Sequence, residues 1–258
     1  MKQPLAYIHP AAKIAPSVVI DPFVTIEQNV EIGEGTRILS NVTIMEGARI
    51  GKNCTIFPGA VISGIPQDLK FKGEDSLAII GDNTTIRECV TVHRGTASKG
   101  KTVVGSNCLI MAYCHVAHDC VVGDNVIMSN ATQLAGEVVV DNFAVVGGGT
   151  LVHQFCHIGR HVMIQGGALV NKDIPPYVKA AREPIAYAGV NSIGLRRRGF
   201  SGETIREIQE IYRYLYLSGL NNSDAIERIE AELPATPERD EIILFIRNSK
   251  RGIIRGYV

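Results

Sequence analysis

The chain has 258 residues, with 26 basic and 26 acidic side chains, a formal net charge of +0, 45% hydrophobic residues and no tryptophan. That length holds one large domain or two modest ones, and the balanced charge excludes the basic excess of a general nucleic-acid binder. No run of about 18 apolar residues is present, which excludes a membrane-spanning helix, and six cysteines are too sparse for a disulfide scaffold.

In chain order, Met1-Lys2-Gln3-Pro4 lacks the apolar stretch of a signal peptide, so a cytoplasmic location is expected. A repeat then begins. Isoleucine occupies positions 8, 14, 20, 26, 32, 38, 44, 50, 56 and 62 without a gap. Carried on to Val170, the same count of six meets Ile, Val, Leu or Met at 25 of 28 positions, and the exceptions are Asp68, Glu74 and Ser98. Four residues after each repeat residue a small or β-branched one follows, as in Val18, Val24, Thr36, Ala48, Cys54 and Ala60. Neither a helix, of period 3.6, nor an ordinary strand, of period 2, gives this pattern. It is the mark of a parallel β-helix of hexapeptide repeats, in which three hexads make one triangular coil and stacked neighbours lie 18 residues apart. Glycines beside the repeat residue (Gly33, Gly51, Gly81, Gly105, Gly123 and Gly159) are expected at corners that need unusual backbone angles. Five of the six cysteines (Cys54, Cys108, Cys114, Cys120 and Cys156) fall on the small fifth position and read as buried hydrophobes; Cys89 does not. The period leaves the hand of the coil open, although the general rule for parallel crossovers favours a right-handed one.

Two excursions interrupt the solenoid, near 63–78 and 97–101, and each rejoins the lattice in phase. Polar loops of this kind contact a substrate or a neighbouring subunit more often than not. Pro175-Pro176 ends the repeat and the rest reads as helix. Ser201 caps a segment running to about Ser218, with Ile205, Ile208, Tyr212 and Leu215 on one stripe. A second helix runs from about Ser223 to Leu233, and Thr236-Pro237 starts a third. The expected division is therefore a β-helix over 1–183 and an α-helical domain over 184–258. Ahead of the helices, Arg196-Arg197-Arg198 reads equally as solvated surface or as a diphosphate holder.

Four histidines lie near one another on this lattice: His93, His115, His118 and His153. His118, Gly136 and Gln154 are spaced by 18 and share the third hexad position, so they form one outward column on three successive coils. A histidine, a glycine with an exposed N–H and an amide supply a base, an oxyanion donor and a polar anchor. Asp119 is placed to orient the imidazole. Two histidines spaced i, i+3 with a third nearby also suit zinc, the alternative that this reading keeps open. The absence of a Gly-x-Ser-x-Gly elbow and of a Walker-type loop disfavours a covalent acyl-enzyme.

Five segments then carry a resemblance: Pro66-Gln67-Asp68-Leu69-Lys70, His93-Arg94-Gly95-Thr96, His115-Val116-Ala117-His118-Asp119, Val152-His153-Gln154-Phe155 and Arg197-Arg198-Gly199-Phe200-Ser201. In this order, over nearly the whole chain, the sequence resembles the UDP-N-acetylglucosamine O-acyltransferases of the lipid A pathway. The resemblance implies a left-handed β-helix, a cytoplasmic homotrimer, and transfer of a 3-hydroxyacyl chain from acyl carrier protein to the sugar 3-hydroxyl without a cofactor or metal. It implies His118 as base, Asp119 as its orienting partner and Gly136 as oxyanion donor. It also implies Gln67, Asp68, Lys70, His115, His153 and Gln154 around sugar and acyl chain, and Asn191, Arg197 and Arg198 at the nucleotide diphosphate. Gly166 matches a floor position where a small residue leaves a deep channel, so a long acyl chain is expected. Two positions depart from the pattern: Glu137 stands where a histidine is expected, and Ile193 where an acidic residue is. The alternatives are the sister N-acyltransferase, for whose extra N-terminal domain a repeat beginning at Ile8 is expected to leave no room, a zinc carbonic anhydrase, and a non-enzymatic trimeric scaffold. The last would need no aligned His/Gly/Gln column.

Overall fold

The computed structural model describes residues 4–256; Met1, Lys2 and Gln3, used above against a signal peptide, and residues 257–258 lie outside the described residues. From Tyr7 to Val170 the chain forms short strands that wind into three flat parallel faces. The solenoid is a left-handed parallel β-helix. The first face runs from Tyr7–Ile8 to Leu169–Val170, and the second from Lys13–Ile14 to His157–Ile158. The third runs from Val19–Ile20 to Met163–Ile164 and continues into the tail. Each strand places its repeat residue inward, so Ile26, Ile44, Ile62, Val92, Val116, Leu134 and Val152 stack as one fully or almost fully buried column. Burying each such side chain stabilises the fold by about 1.5–3 kcal/mol.

Regular coils pair residues 18 apart, as in Thr25↔Thr43 and His115↔Gln133. Across the first excursion the offset widens to 30, as in Ile56↔Ile86, and across the second to 24, as in Ile86↔Ile110. The insertions are therefore whole hexads, two and then one, and they are the hexads that carry Asp68, Glu74 and Ser98. A whole-hexad insertion returns the chain to the lattice with its inward residues still inward.

The corners correct one expectation. Gly33, Gly51, Gly81, Gly105, Gly123 and Gly159 do not have left-handed backbone angles. They are glycine because the next coil passes too close: a Cβ on Gly81 would lie 2.6 Å from the Gly105 carbonyl carbon, and one on Gly105 2.6 Å from that of Gly123. The left-handed seat is the fourth hexad position, taken by Asn29 (φ 51°), Asn41, Asn53, Asn83, Asn107 and Asn125, by Gly35 and Gly59, and also by Phe23, Tyr113, Asp119 and Glu137. Asparagine tolerates that region better than other side chains. The five repeat-position cysteines are buried and Cys89 is exposed. The inward thiols donate to carbonyls of the next coil, Cys54 to Gly81 O at 3.1 Å and Cys114 to Ser129 O at 3.0 Å. Burial pushes Cys108, Cys114 and Cys156 up to about 11 and Cys120 to about 12, which removes thiolate character.

The tail differs from the expected all-helical run. After Pro175-Pro176 the chain makes Val178–Ala181, which pairs in parallel with Met163–Ile164, and Ala186–Val190, which returns antiparallel. Arg255–Gly256 adds a further strand. A solenoid end leaves an open strand edge, and this hairpin covers it on the third face. The helices are α1 (Ser192–Arg197), α2 (Gly202–Leu217), α3 (Asn222–Glu232) and α4 (Pro237–Asn248). α2 and α4 start under Ser201 and Thr236 as the sequence suggests, α3 starts under Asn221, and α1 was not foreseen. Tyr212 Oη donates to Pro176 O at 2.6 Å and Tyr177 Oη donates to Glu241, which fasten α2 and α4 to the end of the coil. Among the described residues no helix is long and apolar enough to cross a membrane.

Candidate active site

The corner between the first and second faces carries residues 117–120, 135–138 and 153–156 on successive coils. Here His118, Gly136 and Gln154 stack as the spacing requires. A Cβ built on Gly136 would lie 2.6 Å from His118 Cε1 and Nε2 and 3.3 Å from Gln154 Nε2. His118 is only 8% exposed. Its Nδ1 lies 2.9 Å from Asp119 Oδ2, and with Nδ1–H donating to that carboxylate, the neutral ring presents Nε2 as a proton acceptor. Nε2 also lies 4.0 Å from Asp68 Oδ2, which the first excursion brings across the groove.

Asp119 is fully buried and its carboxylate is saturated. Oδ1 accepts from Thr96 N at 3.0 Å and Lys99 N at 3.2 Å, and Oδ2 accepts from Thr96 Oγ1 at 2.6 Å. Burial alone would raise its pKa, but the bonds from Thr96, His118 and Lys99 outweigh burial and hold the carboxyl below its ordinary value. A fixed anion behind Nδ1 holds the ring in one orientation, with Nε2 turned to the groove.

The backbone at this corner also supplies a donor. Along the edge between the second and third faces, third-position amides are capped by the next coil, Ser106 N by Asp124 Oδ1 at 2.6 Å and Asp124 N by Asn142 Oδ1 at 2.8 Å. Among the described residues the Gly136 N–H has no such cap and no carbonyl partner. With no side chain over it, this amide is open to a developing oxyanion.

Below the column, His93 is buried and packs edge-on against His115, with centroids 4.7 Å apart. His115 Nδ1 lies 2.7 Å from Thr91 Oγ1. Burial chiefly, then repulsion from His115 and His118, pushes His93 down to about 4, and burial with His118 lowers His115. Among the described residues no three His, Cys, Asp or Glu side chains converge as a metal-ligand set.

A family model described as UDP N-acetylglucosamine O-acyltransferase, domain 2, matches residues 173–254. Models of six hexapeptide transferase repeats and of a GMPPB C-terminal domain match 101–136 and 2–103. An acyl-[acyl-carrier-protein]–UDP-N-acetylglucosamine O-acyltransferase of Thermodesulfovibrio yellowstonii is 47% identical, over 97% of each chain. One from Syntrophobacter fumaroxidans is 41% identical, over 98% of each. The solved UDP-N-acetylglucosamine acyltransferase of Bacteroides fragilis superimposes with a TM-score of 0.97 at 59% identity, covering 99% of this chain and all of that one. The chain belongs to the UDP-N-acetylglucosamine O-acyltransferase family.

In this acyltransferase, the other residues singled out in the sequence are distributed over four places. Gln67 and Lys70 are exposed on the first excursion beside Asp68, whose Oδ1 accepts from Lys70 N at 2.9 Å. His153 is exposed, with Nδ1 3.1 Å from Gln154 O. Gly166 lies at a different corner, between the third and first faces, in a run of glycines with Gly148, Gly149 and Gly167. Asn191, Arg197 and Arg198 line a cavity of about 690 Å³ on the third face together with Lys179 and Ile193. One chain does not bring that cavity to the His118 corner. Asn191 is also structural there: Nδ2 donates to His161 O at 2.9 Å, and Oδ1 accepts from Gly194 N at 3.3 Å to cap α1. Arg198 lies over the Phe143 ring at 4.5 Å. That ring stacks on His161, and His161 on Tyr177.

Sequence reasoning gave no role to Thr96, Lys99 and Thr102, which surround Asp119, to Ser98, which reaches Glu137, or to Lys179 in the cavity. The available signals were Ser98, a break in the repeat at the centre of the second excursion, and Thr96, which closes the His93-Arg94-Gly95-Thr96 segment.

Proposed function

We propose that the chain transfers a long 3-hydroxyacyl group from acyl carrier protein to the 3-hydroxyl of UDP-N-acetylglucosamine, the first step of lipid A biosynthesis. The observation that carries this reading is the His118–Asp119 pair set against the open Gly136 amide on one column. His118 Nε2 removes the proton of the sugar hydroxyl as that oxygen attacks the thioester carbonyl carbon. The tetrahedral oxyanion is stabilised by the Gly136 N–H, an effect worth about 3 kcal/mol. The carbon–sulfur bond then breaks, and the departing thiolate takes the proton from the imidazolium. Asp68 and Lys70, with Gln67, contact the sugar from the first excursion; His115, His153 and Gln154 border the sugar and acyl chain; Gly166 leaves the floor of the acyl channel open.

Asn191, Arg197 and Arg198 hold the diphosphate. Their cavity and the His118 column occupy different edges of the prism, so a cytoplasmic homotrimer that sets one copy's edge against the next completes the site. The test is mass spectrometry of reactions containing UDP-N-acetylglucosamine and a ladder of 3-hydroxyacyl carrier proteins. A UDP-sugar heavier by one 3-hydroxyacyl group is expected, with a long chain preferred; no product from any member refutes the reaction. His118→Ala is expected to lower kcat by orders of magnitude in a folded protein, and near-normal turnover would refute the base.

A further inference from the structure

The tip of the second excursion is exposed at Ala97, Ser98 and Lys99, yet it carries the groups that hold the most buried acid of the site. Its ends are fixed, with Gly95 N donating to Leu77 O at 3.1 Å and Gly100 N to Thr96 O at 2.7 Å. The tip itself touches two stacked corners. Towards one coil, Thr96 and Lys99 N bind the Asp119 carboxylate, and Lys99 Nζ donates to Asp119 O at 3.0 Å. Towards the next coil it touches Glu137: Ser98 Oγ donates to Oε1 at 3.0 Å, and Lys99 Nζ lies 3.7 Å from Oε2. Glu137 is itself locked to the catalytic corner, because its N–H donates to His118 O at 3.0 Å.

We infer that Glu137 is a positioning residue for the His118–Asp119 pair, acting through Ser98 and Lys99 on the excursion that grips Asp119. This rests on His118 being the base, as proposed above. Two effects follow from the geometry. Mechanically, Glu137 is the far anchor of a clamp: without it the tip keeps only its hold on Asp119, and exposed loop ends fray readily. Electrostatically, Glu137 faces the Lys99 ammonium, which also donates to Asp119 O, so this ion pair borders the His118–Asp119 pair. Lys99 and Glu137 are 35% and 21% exposed at the side chain, so their attraction is partly screened and the mechanical effect is the larger.

The charged and titratable groups that face His118 are Asp119 beside it, Asp68 from the first excursion, His93 and His115 from the coils below, and Lys99 and Glu137 from the clamp. Removing the Glu137 charge makes the surroundings more positive, disfavours the imidazolium and moves the acid limb of kcat/KM to lower pH. Removing the Lys99 charge does the reverse.

The test is steady-state kinetics on Glu137→Ala, Glu137→Gln, Lys99→Met and the double variant Glu137→Gln/Lys99→Met, each with a melting curve to establish folding. Glu137→Ala is expected to lower kcat roughly ten-fold with the KM for the sugar nucleotide little changed, since loss of position without loss of substrate contact appears in kcat. Glu137→Gln, which keeps an acceptor for Ser98, is expected to fall less. The acid limb is expected to move down by roughly half a pH unit in Glu137→Gln, up by a similar amount in Lys99→Met, and to return in the double variant. A role confined to packing would not give opposite shifts that cancel. Unchanged kcat in Glu137→Ala, or pH limbs that move together, overturns the inference while leaving the base assignment standing. Normal turnover in His118→Ala overturns both.

Discussion

Gly136→Ala tests the column directly. Gly136 has no left-handed φ, so an alanine backbone is unstrained there and the only penalty is the new methyl group. That methyl would sit 2.6 Å from both His118 Cε1 and Nε2. Ordinary contact needs at least about 3.4 Å, so the ring must retreat by roughly 0.8 Å or turn, and a misplacement near 1 Å costs on the order of 10²-fold in rate. The ring has little freedom, because it is 8% exposed and its Nδ1 is tied to Asp119 at 2.9 Å. The methyl would also overhang the amide proposed to receive the oxyanion. A fall in kcat of about 10- to 100-fold is therefore expected, with the melting temperature lowered by only a few degrees because the clash is confined to the His118 ring and leaves the inward columns untouched. The assay is initial-rate kinetics with UDP-N-acetylglucosamine and a 3-hydroxyacyl carrier protein, paired with thermal melting. Turnover within two-fold of the parent enzyme would show that neither the His118 ring position nor the Gly136 amide matters, and would remove the column from the mechanism.

Two further outcomes follow from the buried rings. His93 and His161 are both pushed down to about 4, chiefly by burial, with His115 and His118 repelling the first and Arg160 and Arg198 the second. Both pKa values lie below the unfolded one, so the stabilisation is fully present above about pH 6.5 and falls as pH drops towards 4, with an upper bound of about 3 kcal/mol per histidine. The melting temperature should decline steadily from pH 7 to pH 4.5 and less steeply in His161→Phe; a flat profile contradicts this. Phe143→Leu removes the ring on which Arg198 rests at 4.5 Å, a contact worth about 1 kcal/mol. It should raise the KM for the sugar nucleotide roughly five-fold with kcat nearly unchanged, and a kcat-only effect would sever Arg198 from nucleotide binding.

The solenoid was legible because its side-chain code is redundant. One inward residue every six positions, repeated from Ile8 to Val170, specifies strand, corner and coil together, and it places His118, Gly136 and Gln154 on one column from spacing alone. The corner glycines were located correctly and explained wrongly, because the constraint on Gly81 is the approach of Gly105 on the next coil rather than its own φ. The hairpin after Pro175-Pro176 was invisible because nothing local distinguishes Val178–Ala181 from a helix start. Its conformation comes from the open edge it covers at Met163–Ile164. The clamp around Asp119 was hidden for the same reason. Thr96, Ser98 and Lys99 have no periodicity, and only the lattice shows that they fold back onto residues 20 to 40 positions later.

The lattice also permits a separation of fold from site by deletion. The second excursion adds six residues, so removing 95–100 joins Arg94 to Lys101 and restores an 18-residue coil in which Val92 and Val104 remain inward. Lys101 then takes the left-handed fourth position and Thr102, already fully buried, the small inward fifth. The shortened chain should therefore fold with its melting transition retained. Asp119 would lose Thr96 N, Thr96 Oγ1 and Lys99 N, three of the bonds that hold its carboxylate below the ordinary range. Turnover should fall by at least about 10²-fold, since an unheld carboxylate no longer fixes the imidazole. Removing five residues, 96–100, instead leaves one residue too many at the junction, which the corner must take up as a bulge, so that variant should melt below the six-residue deletion. A five-residue deletion that melts no lower than the six-residue one, or a six-residue deletion that keeps full activity, would mean that the phase of the repeat and the grip on Asp119 are not what hold this enzyme and its proposed base in place.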